Sequence, residues 1–346
     1  MKNLLFICII LIVLFKTGNV FSNSQIFTVN NIAINKKTYE NKDNFANKVF
    51  KKGFKKLIER HLLEEDYKKF SSTNLQEIKK LISYYQIITP NETELDKDIK
   101  VNLLFDKEKM HNFFYQRNIL YSDIINTEII IFPLLIKDEE FFIYSKNYFY
   151  KNWNTKDSDD IIEYILPLEN IENIKKIDLI KENIIKIDIS DFFKEYDKNN
   201  LAFIIIQIKN KSAKIILNTK ISKNQFIKNI SIDKGILNEK QFNDKIILET
   251  KNKIRDLIKS ENLIDVRTPS FLNVEIKLNN KSNLVEFKKR VEKIDLIDNF
   301  YIQQLNKDYA IVKIKYLGKI NKIINKLKDQ NINLKMQQGQ WRLKIT

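Results

Sequence analysis

The chain has 346 residues and a formal net charge of +16, from 60 Lys and Arg against 44 Asp and Glu. Gly (5) and Pro (4) are scarce, and the one cysteine, Cys8, lies among the first ten residues. A chain of this length has room for two or three domains, and beyond Cys8 it has no thiol for a disulfide or a thiolate metal site.

The opening MKNLLFICIILIVLFKTGNVFS joins a positive Lys2, an apolar stretch over residues 4–15 and the small-residue pattern Val20-Phe21-Ser22. That is the grammar of a secretory signal peptide, with cleavage expected after Ser22. A spanning helix needs about 20 apolar residues, and this run is shorter. The expected mature chain is therefore periplasmic, in solution or loosely held at a membrane surface, with no transmembrane span after processing. Loss of Lys2 and Lys16 leaves it at +14.

After the leader, QIFTVNNIAINKK alternates as a strand does. In NFANKVFKKGFKKLIER, residues Ala46, Val49, Phe50, Gly53, Leu57, Ile58 and His61 fall on one helical face, and Lys51, Lys52, Lys55, Lys56 and Glu59 on the other. Gly53 costs that helix about 1 kcal/mol against Ala, so a close backbone contact is expected there. NLQEIKKLISYY begins with Asn74 and Glu77 at capping-box spacing. Two strands joined by a turn at Pro90-Asn91 follow, then a short helix capped by Asp106.

From residue 127 the texture changes. EIIIFPLLI, IIEYILPL and LAFIIIQIK are near-continuous apolar runs, as expected of strands buried on both faces. A helix capped by Ser190 lies between them, and Phe242, Ile246, Ile247, Ile254, Leu257 and Ile258 form a later helical stripe. The last eighty or so residues read strand, helix, hairpin, helix and a final hairpin at Gln338-Gly339, with Trp341, Leu343 and Ile345 facing inward. The order is β-α-β-β-α-β, a ferredoxin-like arrangement. The fold class is thus α+β with α/β character: three small mixed units in series at 23–122, 123–262 and 263–346, after a leader at 1–22.

No residue pattern names a reaction. His61 sits on an apolar helical face and His111 has no nucleophile or carboxylate at a telling spacing. There is no Gly-rich phosphate loop, nucleophile elbow or HExxH pattern, so no cofactor is expected. The cluster Asp157, Asp159 and Asp160 lacks the glycine and distal Glu of a calcium loop and reads as solvated. The ferredoxin-like tail lacks the K/R-G-F/Y-G/A-F-V-x-F/Y signature of RNA-recognition modules, and nucleic acid is not an expected partner.

One charge feature stands out. No acidic residue lies between Asp197 and Asp233, whereas Lys209, Lys211, Lys214, Lys220, Lys223 and Lys228 all do. Alternate lysines of two or three strands could form an anion-binding face. The competing reading is an edge hairpin guarded by lysine against aggregation. The excess of Lys over Arg also fits solvated faces better than phosphate recognition, which favours the Arg fork.

The segments IFTVNNIAIN with FANKVFKKGFKKLIER, FPLLI with Trp153, ILPLENIENI and QQGQWRLKI together resemble the DUF 2066 family of secreted proteobacterial proteins. Asn170 and Asn173 stand where that family's I-V-P-L-G-D-L-x-D-x pattern carries aspartates. The resemblance implies an exported protein of this architecture and no particular reaction. The expected function is a non-enzymatic binding or scaffolding component of the cell envelope, with an envelope protein or anionic envelope surface as partner. The alternative is a periplasmic enzyme whose carboxylates the sequence does not single out.

Overall fold

The computed structural model describes residues 26–345 except 36–41, 71, 89–97, 156–160, 180, 197, 210, 223 and 279–282. The leader with Ser22, the turn at Pro90-Asn91, the acidic cluster at 157–160 and Lys223 lie outside the described residues. The fold is α+β, with helices set against several mixed sheets. The chain divides into two compact units, one made of the segments up to Asp123 and from Leu263, the other of Ile124–Asn262. The segments expected as the first and third domains therefore share one unit.

Unit 1 opens with β1 (Thr28–Ile34), α1 (Lys42–His61), α2 (Glu64–Tyr67), α3 (Leu75–Leu81), β2 (Ile82–Ile88), β3 (Ile99–Phe105), α4 (Lys107–Arg117) and β4 (Tyr121–Ser122). The first three strands form an antiparallel sheet in the order β1-β3-β2. A Cβ at Gly53 would sit 2.5 Å from Leu103 Cδ2 and 2.8 Å from Ile32 Cδ1, so α1 lies directly on this sheet and glycine is what lets it. The buried stripe of α1 is broader than its spacing suggests. Phe54 is buried against Phe105 and Phe113. Phe50 is only half-buried, because it meets Tyr85 of the edge strand β2 at 5.5 Å. Asn74 and Asp106 cap α3 and α4 as their positions predict, accepting from Glu77 N and Lys109 N.

Unit 2 comprises β5 (Thr127–Lys137), β6 (Glu140–Phe142), α5 (Tyr148–Asn152), β7 (Ile162–Ile165), α6 (Ile171–Leu179), α7 (Ile189–Phe192), β8 (Asn200–Lys209), β9 (Ser212–Ile221), β10 (Asn224–Asp233) and α8 (Glu239–Ser260). The sheet order is β10-β9-β8-β5-β6, with β7 parallel to β5 and β5 parallel to β8. One face packs on α8 through Ile204, Ile206, Ile215 and Ile246. The other packs on α6 and α7 through Phe132, Phe203, Ile177 and Phe192. Cover on both faces is why β5 and β8 read as unbroken apolar runs. The cap of α7 is Asp188 rather than Ser190: its carboxylate accepts from the amides of Ser190 and Asp191, which sets the cap two residues earlier.

The chain re-enters unit 1 at β11 (Leu263–Ile264), followed by β12 (Ser270–Lys277), α9 (Asn283–Val291), β13 (Ile297–Leu305), β14 (Tyr309–Tyr316), α10 (Ile320–Asp329), β15 (Ile332–Gln337) and β16 (Gln340–Ile345). Their sheet has the order β13-β14-β12-β16-β15. This is the ferredoxin-like pattern with one strand added. The last hairpin folds back so that β16 pairs parallel with β12 and antiparallel with β15, taking the place β15 would hold in the four-stranded form. Leu343 is buried as expected, while Trp341 and Ile345 are half-buried.

Candidate functional site

The lysine stretch does not converge on one surface. Antiparallel partners share a face, and Lys214 and Lys220 of β9 lie on the side of Ile216, towards α6 and α7. Lys209 is on that side too, opposite Ser212. Lys228 of β10 is opposite Leu217, whose side chain joins the core under α8, so it projects from the other face. Lys211 is in the turn between β8 and β9. Lys214 and Lys220 are six residues apart on one strand, about 20 Å, and Lys220 Nζ donates to Ser190 Oγ at 3.1 Å. β10 is the edge of the sheet, whereas β9 is paired on both sides.

A cleft of about 710 Å³ lies elsewhere, along the basic helix α1. Its wall is the stripe Lys51, Phe54, Lys55, Ile58 and Glu59, whose three-and-four spacing puts them on one helical face. Tyr67, Phe70 and the start of α3 form the opposite wall. Phe54, Ile58, Phe70 and Ile78 make an apolar floor, all buried. At the mouth Lys55 is 3.7 Å from Glu59, while Lys51 is exposed and has no ion pair among the described residues. The volume falls in the range of small-molecule sites, about 300–1,000 Å³.

A second recess of about 360 Å³ shares Phe70, Ser72, Thr73 and Asn74 with the first and adds Lys69, Glu77, Arg117 and Ile119. Its cations are occupied. Arg117 pairs with Glu77 and stacks 3.9 Å above Phe113, and Lys69 holds Asp66 at 2.6 Å. Among the described residues, Lys51 is thus the cation lining these recesses that has no ion pair. Sequence reasoning placed Lys51 on a solvated face and missed Phe54, Tyr67 and Phe70, since the turn that brings residues 67–75 back against α1 has no periodic signal.

Searches against models of protein families, curated proteins and solved structures return no match. The two histidines are structural in their surroundings. His61 is fully buried, with Nδ1 2.6 Å from Ser122 O and Nε2 2.7 Å from Ile26 O. His111 Nε2 is 3.1 Å from the Tyr121 hydroxyl, and burial, aided by the nearby Lys107 ammonium, pushes its pKa down to about 4. Among the described residues no three His, Cys, Asp or Glu side chains gather as a metal site would need. No described helix is long and apolar enough to cross a membrane.

Proposed function

We propose that the protein is exported and acts as a non-enzymatic binding component of the cell envelope, with the α1 cleft as its ligand site. The reading rests on one observation: a cleft of about 710 Å³ with a floor of Phe54, Ile58, Phe70 and Ile78 and, at its mouth, Lys51, which has no ion pair among the described residues. An apolar floor rimmed by Lys51 and by the Lys55–Glu59 pair suits a small amphiphile carrying one anionic head. The leader pattern ending at Ser22 and the resemblance to DUF 2066 support the periplasmic location.

A fluorescent fatty-acid analogue titrated into the purified mature chain tests the site. Saturable binding is expected, weakened about tenfold in Lys51→Glu and comparably weaker for the corresponding alcohol, which lacks the charge. Absence of saturation, or equal binding of acid and alcohol, overturns the reading. Amino-terminal sequencing of the protein from the cell envelope tests export, with Asn23 as the expected first residue.

A further inference from the structure

Among the described residues, the five-stranded sheet of unit 1 is covered on one side only. α9 and α10 bury Phe287, Val291, Ile323 and Leu327 on the side of Val274, Val312 and Ile314. The other side is open, and every strand contributes alternate residues to it. The register sets these residues in rows across the sheet. One row runs Tyr301, Lys313, Asn273, and the next runs Asn299, Lys315, Phe271. A third runs Gln304, Ile311, Glu275, Arg342, Lys335.

Two features distinguish this surface. Phe271 and Tyr301 are 52% and 48% exposed, although nothing forces large rings onto an open face. Cations also dominate it. Lys277, Lys313, Lys315, Lys335, Arg342 and Lys344 share the face with the acids Glu275 and Asp298. The acids take Arg342 at 3.4 Å and Lys315 at 2.6 Å. Lys313 lies 4.4 Å from the centre of the Phe271 ring. Lys277, Lys335 and Lys344 have no ion pair among the described residues.

An occupant must therefore be anionic at several points and offer flat apolar faces between them. Strand spacing puts the Cα atoms of Phe271 and Tyr301 about 12 Å apart. A directly stacked aromatic pair needs about 4.5–7 Å between rings, so the two rings serve separate, non-adjacent residues of one extended chain. Acidic polysaccharide and single-stranded nucleic acid both fit that outline, and the polar groups separate them. Five of the six cations are lysine, a point charge suited to a carboxylate, where phosphate recognition favours the Arg fork. Asn273, Asn299 and Gln304 lie among them, and an amide both donates to and accepts from neighbouring hydroxyls. Sugar rings supply such hydroxyls together with C–H faces that lie on the electron-rich face of an aromatic ring.

We infer that the open face of this sheet binds an extended acidic polysaccharide, with Phe271 and Tyr301 as stacking platforms and Lys277, Lys313, Lys335 and Lys344 as carboxylate partners. These residues are separate from those of the α1 cleft, so this inference does not depend on the reading proposed for it. The test is calorimetric titration of the full mature chain with a hexuronate oligosaccharide, a neutral glucan oligosaccharide of equal length and an oligothymidine. Saturable binding of the hexuronate is expected, weakening as salt rises and falling about tenfold or more in Phe271→Ala and in Tyr301→Ala. Lys313→Gln, which keeps most of the side chain's packing, is expected to weaken binding with circular dichroism unchanged, which guards against reading a folding defect as lost contact. No hexuronate binding, equal binding of the neutral glucan, or no loss in the two ring variants overturns the inference. Oligothymidine binding tenfold tighter than hexuronate overturns it in favour of nucleic acid.

Discussion

His111 and Gly53 show opposite ways in which a single residue can limit this fold. The imidazole of His111 stays neutral in the native state down to about pH 4, against an ordinary value of 6.5, chiefly because it is buried. The unfolded chain therefore takes up the extra proton first as pH falls. Stability is full above pH 6.5 and is lost on the way down to about 4, by up to about 3 kcal/mol. Urea unfolding of His111→Gln across that window is expected to show a shallower dependence on pH than the parent. A slope equal to the parent's would mean that this group does not set it. Gly53 limits the fold by space. Ala gains about 1 kcal/mol in helix propensity, but its methyl would press on Leu103 and Ile32, both fully buried. Overpacking of this kind costs about 1–3 kcal/mol, so Gly53→Ala is expected to lower the thermal midpoint. A raised midpoint would show that the two side chains can step aside.

Among the elements, β10 carries the sharpest risk. It is ten residues long, regular in register and, among the described residues, unpaired on one side, with Ile227 54% exposed. Lys228 beside Ile227 is the one lysine in that strand, and a charge on an open edge opposes pairing between copies. Lys228→Val is expected to raise light scattering on storage, whereas Lys214→Val on the doubly paired β9 leaves it unchanged. Equal scattering from the two would dismiss the edge explanation. Much of this architecture was legible beforehand. Period-two and three-and-four spacing marked most strands and helices, and the unbroken apolar runs of β5 and β8 showed that both their faces would be covered. What spacing does not carry is pairing. The register of β10 on β9 sets Lys228 opposite Leu217, which reverses its parity relative to Lys214. The place of β16 between β12 and β15 is set by sheet topology, which no local pattern records. Phe271 and Tyr301 come from strands separated by another strand, so their common face became visible only once the register was known.

For the whole molecule, the deciding contact is the smallest sheet. β4 and β11 pair antiparallel through Ser122 with Leu263 and Tyr121 with Ile264. The chain leaves unit 1 and returns to it at cross-strand partners, about 5 Å apart. Asp123 with Lys322, Arg267 with Asn118 and the Lys107 ammonium on Ile297 O at 2.8 Å join the two segments further. Unit 2 is thus an insertion at a point where the ends already meet, the arrangement in which insertions are best tolerated. A chain in which a short glycine-rich linker joins Asp123 to Leu263 is expected to fold with a single cooperative transition, as is the isolated segment 124–262. Loss of cooperative unfolding in either would show that the units depend on each other.

That pairing also sets an order of events in time. β4 is synthesised before any residue of unit 2, but its partner β11 arrives only after the last of them. Unit 2 is continuous in sequence and can close on itself as it emerges, while the opening segment waits with β4 unpaired. Loop closure across the whole inserted unit makes these the slowest contacts to form. On refolding, amides of β8 and β9 should therefore gain protection from exchange before those of β4 and β11, and the half-made first unit is the species most exposed to misassembly while the chain is completed.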